Sequence, residues 1–130
     1  MTSKEHDLKM RLVAVVQDLG RDGGQDPEAI WMIGSLAATL IDKAEAASWR
    51  ELKDALGRDA YDNLLDDFVR VGNASHQAGE GRKAYACQTL GISLVCRTQR
   101  DDAQFREGEL LLDGIIGGAI EAYRRSLRPN

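Results

Sequence analysis

Proline, cysteine and histidine are scarce in this chain, with two of each in 130 residues. The prolines stand at positions 27 and 129, so the Ala- and Leu-rich sequence between them contains no proline. Because proline interrupts helices and β-branched residues favour strands, a proline-poor chain with few β-branched runs favours helices. No segment alternates apolar and polar residues with a period of two, so we expect no sheet.

Long apolar runs are also absent. The longest stretches without a charge are residues 29–41 and 84–96, and each is shorter than the ~20 residues that a membrane span needs. The start, MTSKEHDLKM, has no uninterrupted apolar core of the signal-peptide type. The net charge is −4, which disfavours binding to nucleic acid or to an anionic membrane. We therefore expect a single cytoplasmic domain that binds neither nucleic acid nor a membrane.

The scarcity of histidine and cysteine limits metal and redox chemistry. No Glu-x-x-His pair of a di-iron bundle and no Cys-x-x-Cys pair of a zinc site occurs. Cys87 and Cys96 are nine residues apart, about 900° around one helix, so they fall on opposite faces and cannot pair there. We expect two buried, reduced thiols, with no metal and no cofactor.

Apolar periodicity and end signals predict five or six helices in an orthogonal bundle. Asp26 and Pro27 are typical of a cap and a first helical position, and Ser48 and Glu51 have the spacing of a capping box. Gly79 is expected to end a helix with a positive φ. The predicted helices span residues 4–19, 27–46, 48–57, 59–77, 81–100 and 102–127, and residues 20–26 are predicted to form a loop.

Three segments are apolar on nearly every side: 29–41, 84–96 and 110–120. A small bundle has room for about one central helix, so three such segments offer more apolar surface than a monomer buries. The last one also holds Gly114, Gly117, Gly118 and Ile120 in a helix where each glycine costs roughly 0.5–1 kcal/mol. We expect these four residues to form a close helix contact, either with the GSLAA stretch at 34–38 or with a second copy in a homodimer.

No grouping of catalytic residues is evident, and we expect no catalytic residue. Asp113 interrupts the apolar stretch LLLDGIIGG, but with Glu109, Glu121 and Arg125 it forms a polar stripe that is expected to face water. A helix, a glycine turn and a second helix at residues 48–68 have the outline of a DNA-binding motif. That second helix is acidic, which opposes phosphate binding.

Two small-ligand hypotheses remain open. Paired carboxylates one helical turn apart could hold Mg²⁺ and a nucleotide, and these are Asp42, Glu45, Glu51 and Asp54. The stretch HQAGEGRKA could bind an anion or an acidic protein partner at a helix start through His76, Glu80, Arg82 and Lys83. It lacks the Gly-Lys-Ser/Thr ending of a phosphate-binding loop, so a plain turn between two helices is the alternative.

The two helices around this stretch resemble a tetratricopeptide repeat over about residues 65–98. Phe68 is followed by Val71 and Gly72, and small residues recur at Ala84 and Gly91 where two helices would cross. The resemblance implies one antiparallel helical hairpin at the centre of the bundle. No second copy occurs 34 residues away, so a repeat array is not implied. The sequence as a whole favours a non-catalytic interaction or regulatory protein that self-associates, with a small-ligand or Mg²⁺-dependent nucleotide protein as the alternative.

Overall fold

The computed structural model describes residues 6, 7, 10, 13, 14, 17, 26–99 and 101–128. The predicted helix over 4–19 and the predicted loop over 20–26 lie largely outside these residues. The described part contains helices and no strand, so the predicted all-α class is confirmed. Its helices are α1 (Pro27–Ala44), α2 (Leu52–Leu56), α3 (Arg58–Gln77), α4 (Gly81–Thr98) and α5 (Ala103–Ser126).

The helix ends follow local sequence signals. The carboxylate of Asp26 accepts hydrogen bonds from the backbone amides of Glu28 and Ala29, and Pro27 occupies the first turn of α1. Asp102 caps α5 in the same way. Each cap satisfies amides that the first helical turn leaves without a partner. The predicted start of α1 is confirmed.

The predicted capping box at Ser48 and Glu51 is wrong. α2 begins only at Leu52, and its N-cap residue Glu51 makes no side-chain cap hydrogen bond. Trp49 explains the difference, since its side chain is buried and its indole Nε1 donates to Ser93 Oγ at 3.0 Å. Anchoring the tryptophan in the core holds residues 47–51 in bends and turns instead of a helical turn.

α4 is the central helix and packs against α1, α3 and α5. Its antiparallel pairing with α3 depends on small residues. A Cβ on Gly72 would lie 3.5 Å from the Cβ of Cys87, and one on Gly91 would lie 3.3 Å from the Cβ of Phe68. Gly79 ends the turn between the two helices with φ 77°, as predicted. α3 and α4 are therefore closely packed neighbouring helices, while the tetratricopeptide-like hairpin remains a prediction.

α1 and α5 form the other extensive helix pair, and Gly34 lies at their closest approach. A Cβ on Gly34 would lie 2.1 Å from the backbone oxygen of Ala119, so only glycine fits there. The GSLAA stretch therefore contacts α5 through Gly34, opposite Ala119 and Tyr123 and not opposite the predicted glycines. Three glycines of α5 have a different role, because no atom of the described residues lies within 4 Å of where a Cβ of Gly114, Gly117 or Gly118 would stand. The internal option for these three glycines is wrong.

None of the helices in the described ranges combines the length and the apolar content that crossing a membrane requires. The apolar surface is instead gathered into one core. That core includes Ile33 and Ala37 of α1, Leu90 and Leu94 of α4, and Leu112 of α5, all with no measurable exposure.

Candidate functional site

The stretch HQAGEGRKA, at the α3–α4 turn, is connected to the start of α1 by ion pairs. Arg82, in the first turn of α4, places Nε 2.9 Å from Asp26 Oδ2 and Nη1 2.8 Å from Glu28 Oε2. The hydrogen bond from Arg82 is the main reason that the pKa of Asp26 lies below its usual value. The cation at this helix start is therefore matched by two carboxylates of the same chain.

The other three predicted binding residues lie at the same end of the hairpin. Lys83 Nζ stands 3.9 Å from Glu80 Oε2, within α4's first turn. His76 is exposed near the end of α3 and lines an apolar groove that is described below. The structure brings these residues to one end of the molecule, and their binding of a ligand or partner remains a prediction.

An apolar groove runs along the outer side of the hairpin, between α3 and α4. Its cavity volume is about 510 Å³. It is open enough that Val69 of α3 is 51 % exposed, although Phe68 beside it is buried. The lining residues are Asp7, Leu65, Asp66, Phe68, Val69, Gly72, Asn73, His76, Ala84, Cys87, Gln88, Gly91, Ile92 and Val95.

A buried ionic cluster lies where α4 and α5 meet the α1–α2 connection. The guanidinium of Arg97 is 2 % exposed and lies 2.9 Å from Asp113 Oδ1 and 3.5 Å from Glu109 Oε1. It also donates to the backbone oxygen of Arg50, whose own side chain reaches Asp113 Oδ2 at 3.6 Å. This cluster links three parts of the chain through charged contacts.

Neutral groups extend the cluster into the core. Asp113 Oδ1 accepts from Ser93 Oγ at 3.4 Å, and Ser93 in turn accepts from the indole of Trp49. Two atoms, Arg97 Nε and Asp113 Oδ2, have only the longer ionic contacts and no hydrogen bond. Since a buried charge is costly unless it is paired, Arg97, Asp113 and Glu109 depend on one another, whereas the side chain of Arg50 is 63 % exposed.

The prediction that Asp113 faces water is wrong. Its side chain is only 9 % exposed because it is turned toward Arg97 rather than along the polar stripe. Sequence reasoning also missed Arg97, which directly follows the apolar run 84–96. A signal was available, because Arg97 lies one helical turn after Ser93 and therefore shares the inward face of that run.

Two titratable groups near the cluster have raised pKa values, and these are Cys96 and Tyr61. Burial, and then the nearby charges of Glu109 and Asp113, raises the pKa of the Cys96 thiol to about 12, so that thiol stays protonated and unreactive. Burial likewise raises the pKa of Tyr61, whose hydroxyl donates to the backbone oxygen of Leu94. Both predicted thiols, Cys87 and Cys96, are buried and unpaired, as expected.

The four carboxylates of the magnesium hypothesis are not gathered into a site. Asp42 contacts Arg124 at 3.2 Å, Glu45 ends α1 in a left-handed conformation, and Glu51 precedes α2. Throughout the described ranges, no three His, Cys, Asp or Glu side chains form a group that could hold a metal ion.

The outer face of α5 is the other distinctive surface. Leu110 is 61 % exposed and Leu111 is 47 % exposed, next to the exposed Gly114 and Gly118. Ile120, which was predicted with these glycines, is instead 7 % exposed and belongs to the core of the monomer. The described part of the chain therefore presents a helix face of leucine and glycine to solvent.

No protein-family model, no curated protein and no solved structure matches the chain.

Proposed function

We propose that the protein is a non-catalytic interaction protein that forms a homodimer through the outer face of α5. This dimer face consists of Glu107, Leu110, Leu111, Gly114, Gly118, Ala122 and Arg125. The observation that carries the proposal is the open space around Gly114 and Gly118, where a Cβ would meet no atom of residues 26–99 or 101–128 within 4 Å.

These glycines are unfavourable in an isolated monomer. Each costs roughly 0.5–1 kcal/mol relative to alanine inside a helix. Gly34 offsets such a cost by allowing α1 and α5 to approach, whereas Gly114 and Gly118 allow no approach within the described chain. A second copy that packs against them would give the two glycines the role that Gly34 has inside the monomer.

The residue order on this face is self-complementary. Positions 107, 114, 118 and 125 lie along one stripe, and they are symmetric about position 116. In an antiparallel pair of α5 helices related by a two-fold axis, Gly114 meets Gly118 of the partner subunit. Glu107 then faces Arg125 of the partner subunit, which brings opposite charges together. Both ends of the face would be matched by this one arrangement.

The lack of an evident active site supports a binding role. Among residues 26–99 and 101–128, the charged residues with most burial are Arg97 and Asp113, and they are used in the ionic cluster. The protonated thiol of Cys96 and the buried Cys87 are consistent with reduced cysteines. We therefore place the protein in the cytoplasm, where thiols stay reduced.

Light scattering after size-exclusion chromatography tests the dimer. Leu110→Glu places a carboxylate on the dimer face, and Leu127→Glu is the matched control, since each leucine is 61 % exposed on or just after the same helix. We expect the mass of a dimer for the wild type and for L127E, and a monomer for L110E. A wild-type monomer at high concentration, or equal effects of the two changes, would contradict the proposed face.

A thermal-shift screen separates this role from the small-ligand alternative. A ligand present at about a hundred times its dissociation constant adds about 2.7 kcal/mol to the free energy of unfolding. We expect no change in melting temperature with Mg²⁺, Mn²⁺ or nucleotides. An increase that is lost on Asp42→Asn would favour the alternative.

A further inference from the structure

The groove between α3 and α4 has the size and the lining of a small-molecule site. Its volume of about 510 Å³ lies within the roughly 300–1,000 Å³ that is typical of such sites. Buried side chains of Phe68, Cys87 and Ile92 line it, and Val69 adds an apolar side chain that is 51 % exposed. No residue of the proposed dimer face is among the described residues that line the groove, so the two surfaces are separate.

The charges in the groove have one sign. Among the described lining residues, the charged ones are Asp7 and Asp66, and the lining residues of α4 carry no charge. The nearby cations Arg70 and Lys83 are not among the lining residues. Each of them instead forms an ion pair with the acid three residues before it, at 3.1 Å and 3.9 Å. The groove therefore combines an apolar surface with negative charge that these cations do not neutralise.

We propose that this groove binds a small apolar molecule that carries a protonated amine, such as an alkylammonium ion. The ammonium group would pair with the carboxylate of Asp66, and Asp7 would add a second negative charge. The apolar part would lie on the buried lining and cover Val69. This site is independent of the proposed dimer.

The packing of α3 against α4 gives the ligand a direction. A Cβ on Gly91 would lie 3.3 Å from Phe68, and one on Gly72 would lie 3.5 Å from Cys87, so the two helices run antiparallel along the groove. Asp66 therefore lies toward the end that is remote from the α3–α4 turn. The distance along α3 from Asp66 to the level of Gly72 is about 9 Å, at 1.5 Å per residue. An eight-carbon chain covers a similar distance, so its amine can reach Asp66 while its tail lies beside Cys87.

Four probes separate the contributions of charge and chain length. Octylammonium, octanol and octanoate share an eight-carbon skeleton and differ in charge, whereas butylammonium keeps the charge and loses four methylenes. Each is titrated into ¹⁵N-labelled full-length protein at pH 7.5, and amide shifts give the site and the Kd. We expect octylammonium to bind with a Kd below about 1 mM and to shift amides of residues 65–76 and 84–95. Butylammonium should bind at least about tenfold more weakly, because less apolar surface is buried. Octanol should bind about threefold more weakly or worse, and octanoate should be weaker still.

Asp66→Asn is the test variant, and Asp67→Asn is its matched control. The two aspartates are neighbours on α3, both are exposed, and only Asp66 lines the groove. The two variants have the same net charge, and both should keep the fold because neither side chain is buried. We expect D66N to weaken octylammonium binding about threefold or more and to leave octanol binding unchanged, whereas D67N should bind both probes as the wild type does.

Several outcomes would overturn the proposal. These are a Kd for octylammonium above about 10 mM, equal binding of octanoate, equal effects of D66N and D67N, and shifts confined to α5. A Kd that rises with protein concentration would show that a second copy occupies the groove, which would also contradict a small-molecule site. Leu110→Glu, which tests the dimer, should bind octylammonium as tightly as the wild type, so a failure of the dimer proposal would be seen separately.

Discussion

Replacing glycine with alanine should lower the free energy of unfolding at Gly34 and raise it at Gly114. In Gly34→Ala, the new Cβ would lie 2.1 Å from the oxygen and 2.6 Å from the carbonyl carbon of Ala119, and both are backbone atoms. Backbone atoms cannot rotate away, so α5 must move off α1. Overpacking costs about 1–3 kcal/mol, and a clash with backbone atoms belongs at the upper end of that range, whereas the gain of alanine over glycine in a helix is only about 0.5–1 kcal/mol. We expect G34A to lose about 2 kcal/mol of unfolding free energy.

In Gly114→Ala, the new Cβ meets no atom within 4 Å in the part of the chain that the structure describes. We expect it to gain about 0.5–1 kcal/mol, because alanine has less backbone freedom to lose on folding. The unfolding free energies of the two variants then differ by about 3 kcal/mol, which corresponds to a factor of more than a hundred in the unfolding equilibrium constant.

Urea denaturation followed by circular dichroism measures both values. Protein is kept dilute, so that dissociation of the proposed dimer does not contribute to the transition. Equal slopes of unfolding free energy against urea would show that only stability has changed. A G34A transition within about 0.5 kcal/mol of the wild type would refute the close approach of α1 and α5, and a destabilised G114A monomer would refute the open environment of that glycine.

Two further predictions concern the ion pairs. Asp113→Asn removes the negative charge beside the buried guanidinium of Arg97 and should lower the unfolding free energy by about 3 kcal/mol. Asp62→Asn, on the exposed side of α3, should change it by less than about 0.5 kcal/mol in the same urea assay. Similar values for both variants would contradict the cluster. Arg82→Ala should raise the pKa of Asp26 back toward 3.8, as measured by NMR titration of its carboxyl carbon. Because the pKa of Asp26 is lower in the folded than in the unfolded protein, the ion pair stabilises the fold above pH 3.8, and this stabilisation is lost as the pH falls through the folded pKa. R82A should therefore weaken the loss of stability in acid. An unchanged Asp26 pKa in R82A would contradict the ion pair.

Features decided by neighbouring residues could be predicted from the sequence. Asp26 followed by Pro27 identifies the start of α1, because capping involves only the next three residues. Gly79 identifies the end of α3 for the same reason, since a positive φ strongly favours glycine. The small residues Gly72 and Gly91 indicated the α3–α4 crossing, because the two helices are also neighbours in the sequence.

Features that depend on distant residues could not be predicted in this way. Asp113 lies on a polar stripe by periodicity, yet it is buried because Arg97 and Arg50 supply cations from other parts of the fold. The glycines at 34 and 114 both stand in apolar helical sequence, and only packing shows that one is crowded and the other open. The spacing of side chains on one helix carries no information about which neighbour will face them.

The pairing of α1 with α5 also constrains how the protein forms during synthesis. Gly34 and Ala119 are in contact across about 85 residues of chain, so α1 leaves the ribosome long before its partner exists. At about 5–20 residues per second, α1 waits roughly 4–17 s with Gly34 uncovered on the α5 side. The α3–α4 hairpin, by contrast, can close as soon as its own residues emerge. Its early formation gives α1 a surface on α4 to pack against before α5 completes the core.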